Sequence, residues 1–207
     1  MNKDIFQKEL LEDPVSFLVS KWVIDRVPYV FNDDREEYIS WKEDLAKKLQ
    51  IDGKAIIFTG SSGCGFSLNP SKNYKDFDVE SDIDIALISQ LHFDIAWHYL
   101  RNLGSSRMGL TNKQKSSVKD HVTRLIYWGT IGTDKILEIL PFGKSWVLAL
   151  EEMKNIAPLE GRSINIRIYK DFEALRAYQT NGFETLRNEL LSTDEGDNNE
   201  HILEYNP

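Results

Sequence analysis

The sequence predicts an α/β (α+β) domain, a short mixed sheet flanked by helices, and three observations carry that reading. Apolar residues recur at helical spacing toward both ends, as Tyr38, Trp41, Leu45 and Leu49 do. Short central runs alternate or stay apolar at strand length, SDIDIALIS at 81–89 and INIRIY at 164–169. Glycine-rich turns separate such runs, GSSGCG at 60–65 and GTIGT at 129–133. The 207 residues suit one domain with a real core. Residues 1–192 form that domain, with its sheet core at about 51–170, and 193–207 follow as a tail.

Taken in order, Asp13 and Pro14 cap and open a helix through about Asp25, with Val15, Leu18, Val19, Trp22 and Val23 inward. Asp33 or Asp34 caps a second helix through about Gln50, with Glu36 and Glu37 at its positive end and Lys47 and Lys48 at its negative end. Residues 54–59 read as the first strand. After the glycine loop, LNPSKNYKDFDVE at 68–80 carries the turn formers Asn69, Pro70 and Asn73. Strand 81–89 leads into a helix at 93–103 that ends near Gly104; His92 and His98 lack ligand partners at metal spacing and read as structural. Residues 105–119 form a basic, flexible segment with Arg107, Lys113, Lys115 and Lys119, near a nucleotide or a growing strand. The strand-like runs 120–128 and 135–140 bracket GTIGT as a hairpin. A helix at 145–155, the strand 164–169 and a helix at 171–191, with Phe172, Leu175, Tyr178, Phe183, Leu186 and Leu190 at helical spacing as its core stripe, complete the domain.

The chemistry concentrates between 58 and 89. Strand alternation puts Asp82 and Asp84 on one face and Ile83, Ile85 and Leu87 on the other. Two hard oxygen ligands on a rigid strand suit Mg²⁺, which takes one or two protein carboxylates and completes its shell with water and substrate phosphate. Gly60, Gly63 and Gly65 let the backbone approach a triphosphate, with the amides and the hydroxyls of Ser61 and Ser62 as donors. On the later strand Asn165, Arg167 and Tyr169 share a face; Arg167 serves a triphosphate or base, or else a structural ion pair.

Gly60-Ser61 followed by Asp82-x-Asp84 resembles the signature of the polymerase β superfamily of nucleotidyltransferases, with a longer gap between its halves. That resemblance covers roughly 54–141 and implies a polymerase β-like fold, two Mg²⁺ ions (Mn²⁺ substituting) and transfer of nucleotides from an NTP or dNTP to a hydroxyl. Related template-independent enzymes carry a third carboxylate on an apolar-acid-apolar strand, which Leu137-Glu138-Ile139-Leu140-Pro141 resembles with Glu for Asp. Glu138 is therefore the expected third metal ligand, with Asp134 and Asp171 as fallbacks. Asp82 and Asp84 are expected to hold both metals.

Composition narrows the class. A formal net charge of −8 argues against broad duplex binding, which rests on clustered Lys and Arg. The single cysteine, Cys64, excludes an internal disulfide framework and fits a reducing compartment. Lys21 and Asp25 interrupt the most apolar N-terminal stretch and MNKDIF lacks the apolar core of a signal peptide, so a cytoplasmic protein without membrane insertion is expected. The polar, acidic STDEGDNNEHILEYNP at 192–207 reads as a mobile tail. Compact size, the long glycine loop and Tyr205 resemble the nucleotidyltransferases of the bacterial Hailong antiphage system. That resemblance implies a single-stranded nucleic-acid oligomer, started on the Tyr205 hydroxyl and controlling a membrane effector encoded alongside. Alternatives are a toxin–antitoxin-type enzyme that modifies a protein or tRNA, and a nucleotide-binding module without turnover.

Overall fold

The computed structural model describes residues 3–203, the side chains of 70, 105, 106 and 193–203 excepted. The chain runs α1 (Lys3–Glu12), α2 (Val15–Val19), α3 (Arg35–Leu49), β1 (Ile56–Thr59), α4 (Gly60–Cys64), β2 (Ile83–Ile88), α5 (Gln90–Arg101), α6 (Asn112–Asp120), β3 (Thr130–Gly132), α7 (Gly143–Met153), β4 (Ile164–Tyr169) and α8 (Phe172–Leu203). The architecture is α+β, a four-stranded mixed sheet flanked by helices.

Strand order is β1-β2-β4-β3. β1 and β2 are antiparallel, with Thr59 opposite Asp84. β2 and β4 are parallel, with Asp84 opposite Asn165. β3 returns antiparallel to β4, with Gly132 opposite Arg167. Because side chains alternate, one face of the sheet carries Ile83, Ile85, Leu87, Ile166 and Ile168 into a core shared with Trp41, Leu45, Ala96 and Trp146 of α3, α5 and α7. The other face carries Ile57, Ala86 and Tyr169 into a second core with Phe6, Leu18, Trp22, Leu175 and Phe183 of the terminal helices. A fully buried Leu or Phe contributes ~1.5–3 kcal/mol in such a layer. The layer is also tied by hydrogen bonds: Arg187 on α8 donates from Nε to the Leu10 carbonyl (2.5 Å) and from Nη2 to that of Asp13, satisfying carbonyls that α1 leaves unpaired.

Several expected elements form as read. Asp34 caps α3, its Oδ1 accepting from the Glu37 amide at 2.9 Å. Others differ. Pro14 precedes α2 as its cap residue, and α2 passes into a π-helical turn over Ser20–Ile24. The basic segment is ordered: Thr111 and Gln114 form a reciprocal capping box that opens α6, and a π-helical turn continues it over His121–Leu125. The expected hairpin is inverted, since GTIGT supplies the strand β3 while its flanks are helical turns. Glu138 consequently sits in a 3₁₀ turn, Leu137–Ile139, and on no strand. Helix α8 continues to Leu203, through the segment expected to be a tail, and Tyr205 lies outside the described residues. No helix of the described residues is long and apolar enough to cross a membrane.

Candidate functional site

The N-terminal end of β2 lies where three elements meet. β1 ends at Thr59, whose Oγ1 donates to the Asp84 carbonyl at 3.3 Å. The chain then turns at Gly60 with φ of +60°, and a Cβ there would come within 2.9 Å of Asp84 Oδ2. Only glycine combines that backbone conformation with that approach, so the turn is fitted against the carboxylate. On the other side, Asn165 Nδ2 donates a long hydrogen bond to Asp84 Oδ1 at 3.5 Å.

Asp84 opens onto a cleft of about 680 Å³ whose floor is the sheet face of Asp84, Asn165, Arg167 and Gly132. Gly60 and Ser61 form one wall, the loop with Leu68, Asn69 and Lys72 a second, and Tyr178 to Gly182 of α8 a third. Arg124 and Trp128, from the π-helical turn and the residues after it, close the fourth side with Asp134. Asn69 shapes the loop, its Oδ1 accepting from the Ser71 amide at 3.1 Å, and a 3₁₀ turn over Pro70–Lys72 follows.

Charge in the cleft is segregated. Asp84 reaches water yet is crowded by protein atoms; that desolvation, reinforced by Asp82, raises its carboxyl above the ordinary range, against Asn165, Arg167 and Lys72, which pull it down. Asp82 is exposed, just before β2. Arg167 stacks its guanidinium 5.0 Å from the Tyr178 ring centroid, and its buried Nη1 has no hydrogen-bond partner among the described residues. A buried guanidinium nitrogen without an acceptor is costly, and a rotation of the Arg167 side chain toward the cleft it lines would bring that nitrogen to an anionic oxygen there. Asp134 Oδ1 and Arg167 Nη2 both lie within 4 Å of the point where a Cβ on Gly132 would sit. No ion pair within 4.0 Å links Asp84, Asp134, Arg167, Arg124 or Lys72 to any other described residue. The Trp128 and Tyr178 rings stand 6.4 Å apart, nearly perpendicular.

The structure thus brings together Asp84, Gly60, Ser61 and Arg167, with Asp82 adjacent. It turns Ser62 inward: the residue is fully buried and its hydroxyl donates to the Thr59 carbonyl at 3.0 Å, so it shapes the turn and does not face the cleft. Glu138 lines a different cavity with Lys135, Glu151 and Lys154, because the 3₁₀ turn carries it past the end of the sheet. The fallback Asp134 is the acid that lines the Asp84 cleft, and Asp171 instead accepts from the Ala174 amide (2.8 Å) at the start of α8. Among the described residues, no three acids, histidines or cysteines are gathered closely enough to hold a metal ion together. Cys64 is buried, its thiol donating to the Trp22 carbonyl at 3.1 Å and pushed up to about 11 by burial, which makes it a core residue and not a nucleophile. His92 is structural, its Nδ1 paired with Ser89 Oγ at 2.9 Å and its ring against Phe142 and Trp146.

Sequence reading missed Lys72, Arg124, Trp128 and Gln179, and took Tyr178 for core. Only the last had a usable signal, since Tyr178 puts a polar tip into a stripe otherwise made of Phe and Leu. Comparison with protein-family models, with curated proteins and with solved structures yields no match.

Proposed function

We propose that this protein is a metal-dependent nucleotidyltransferase, moving a nucleotide from an NTP or dNTP to a hydroxyl acceptor with release of pyrophosphate. The observation that carries the reading is the junction at Asp84, a carboxylate with raised pKa fitted against the Gly60 turn and facing a cleft lined by Arg167, which has no acidic partner within 4.0 Å among the described residues. Acid at one end and free cation at the other suit a triphosphate that arrives with a divalent ion.

The donor set fits one such ion: Asp82 and Asp84 supply carboxylate oxygens, with Asn165 Nδ2 steadying Asp84 through Oδ1. A second Mg²⁺ would draw on Asp134, the further acid of the cleft, and not on Glu138. Bound metal supplies charge neutralisation and polarisation of the reacting oxygens. The chain's own residues position the substrate: Gly60 and Ser61 flank the phosphates, and Arg167 donates to phosphate oxygen. Transfer forms a bond from the acceptor oxygen to the α-phosphorus and breaks the bond from that phosphorus to the α–β bridging oxygen, with the hydroxyl proton passing to solvent.

Asn165, where an acid beside Asp84 would complete the ligand set, favours one alternative, a nucleotide-binding module without turnover. Synthesis of an oligomer in antiphage defence, primed on Tyr205 in the cytoplasm and acting on a membrane effector, extends the reading on resemblance alone. The test is incubation of purified protein with each NTP and dNTP plus Mg²⁺ or Mn²⁺, with pyrophosphate as readout. Turnover with at least one nucleotide is expected. Nucleotide binding with no pyrophosphate from any of the eight would leave the binding module, and a ladder of products separates an oligomer-forming enzyme from one that adds a single nucleotide.

A further inference from the structure

The chain is acidic overall, yet residues 101–128 carry six Lys and Arg against one acid, Asp120. Arg107, Lys113, Lys115, Lys119 and Arg124 are exposed, and none has an acidic partner within 4.0 Å among the described residues. Lys113, Lys115, Lys119 and Arg124 are presented by one continuous element, α6 with its π-helical turn, held by the capping box at one end and by buried Val118 and Leu125 beneath, and Arg107 by the 3₁₀ turn Gly104–Gly109 that precedes it. At its near end Arg107, Lys115 and Lys119 rim a shallow groove of about 190 Å³ floored by Leu110, Val118 and Val122. At its far end Arg124 and Trp128 enter the Asp84 cleft. Between the two, Tyr127 is 85% exposed and stands edge-on to Trp128 with ring centroids 5.5 Å apart.

We infer that this element is a track for a single-stranded nucleic acid, leading its reactive end to the Asp84 cleft; the inference rests on the nucleotidyltransferase reading and names the class of acceptor. Cations spaced along a helix, with an exposed aromatic at the cleft mouth, match a chain of phosphates carrying stackable bases. From Lys115 to Trp128 the track spans on the order of 20 Å at ~1.5 Å rise per residue. A lipid surface is disfavoured by the shallow, polar-rimmed groove, and duplex by the small number of cations.

The experiment is fluorescence anisotropy of the full-length protein with labelled dT and U decamers at several salt concentrations. Binding of Mg²⁺ complexes of the eight nucleotides is measured in parallel by calorimetry. Wild type binds a decamer with affinity that falls as salt rises. Lys115→Glu with Lys119→Glu weakens this at least tenfold and flattens the salt dependence by about 0.7 log unit per lost phosphate contact. Tyr127→Ala weakens it by roughly five- to a hundredfold, and Tyr127→Phe restores it. Nucleotide binding is unchanged in all three, which also reports an intact fold. Decamer binding indifferent to all these changes, while nucleotides still bind, overturns the track and leaves the enzyme reading standing. Loss of nucleotide binding in the wild type, with variant-sensitive decamer binding, does the reverse. Displacement of the decamer by a peptide of residues 192–207, bound more tightly at the same lysines, also overturns the inference and makes the groove a dock for the chain's own acidic end.

Discussion

Two cavities flank the sheet, and their charges are handled in opposite ways. The cavity at Glu138 is the smaller, about 350 Å³, and mixes Lys135 and Lys154 with Asp134, Glu138 and Glu151. One of its two lysines is already paired, Lys154 Nζ lying 2.5 Å from Glu151 Oε2 one helical turn away. The cleft at Asp84 holds its acid and its cations apart, the carboxyl raised by desolvation and the Arg167 Nη1 unpartnered. Leaving a buried guanidinium nitrogen without an acceptor costs stability, which sets the Asp84 cleft apart as a candidate for ligand binding. The contrast teaches that a flanking pattern of apolar residues led to an exposed acid on a 3₁₀ turn, whereas the unmatched charge lies on the sheet frame at Asp84 and Arg167.

The largest effect that would break this contrast is expected from Gly60→Ala. The new methyl meets Asp84 Oδ2 at 2.9 Å and the alanine must adopt the positive φ, so the carboxylate gives by roughly half an ångström while the turn itself is strained, a misplacement that costs up to about a hundredfold in turnover. Stability should fall by about 1–2 kcal/mol for the left-handed conformation, and wild-type pyrophosphate release from this variant would separate the turn from the chemistry. Next comes Arg167→Met, which keeps length but removes the donors. Nucleotide affinity should drop about ten- to a hundredfold, the worth of a charge-assisted hydrogen bond, as read by calorimetric titration; unchanged affinity would leave the guanidinium a purely structural partner of Tyr178.

A smaller effect sharpens the comparison between the two cavities directly. Asp134→Asn should lower turnover severalfold, while Glu138→Gln should change it less than twofold, because only Asp134 faces the Asp84 cleft. The reverse ranking in steady-state rates would return the third carboxylate to Glu138.

The smallest expected effect is on stability. Asp84 titrates higher in the folded chain than in the unfolded one, so the folded state holds its proton longer and stability declines as pH rises from the ordinary aspartate value through the raised one. Asp84→Asn removes that loss. Its melting temperature should therefore sit slightly above wild type at pH 7, with the gain vanishing below the ordinary aspartate range, and a decrease at neutral pH would mean that the carboxylate has a stabilising partner.

Legibility in the sequence followed the source of burial. β1, β2 and β4 were readable because Ile57, Ile83, Ile85, Ile166 and Ile168 announce their faces by themselves. The register that sets Asp84 against Asn165 was not, since pairing depends on long-range geometry. The helix α6 read as a loop because its buried face includes Ser117 and, in the π-helical turn, His121, alongside Val118 and Leu125. GTIGT read as a turn on its glycines, although Thr130 and Ile131 are fully buried against β4. Glu138 misled because Leu137 and Ile139, half-buried in a 3₁₀ turn, imitate strand alternation over three residues, and Gly143 lets the next helix close against that turn. Arg167 was found on its strand face, but its stacking partner on α8 was not visible without the fold.

The central claim is that the acids at the start of β2 support nucleotide transfer, and one measurement meets it head-on. Wild type and the Asp82→Ala/Asp84→Ala variant are incubated with α-labelled nucleotides and Mg²⁺ or Mn²⁺, and incorporated label is counted beside a thermal melt of each protein. The account predicts metal-dependent incorporation by wild type and none above background by the variant, whose melting temperature is equal or slightly higher. Undiminished incorporation by a folded variant would contradict it.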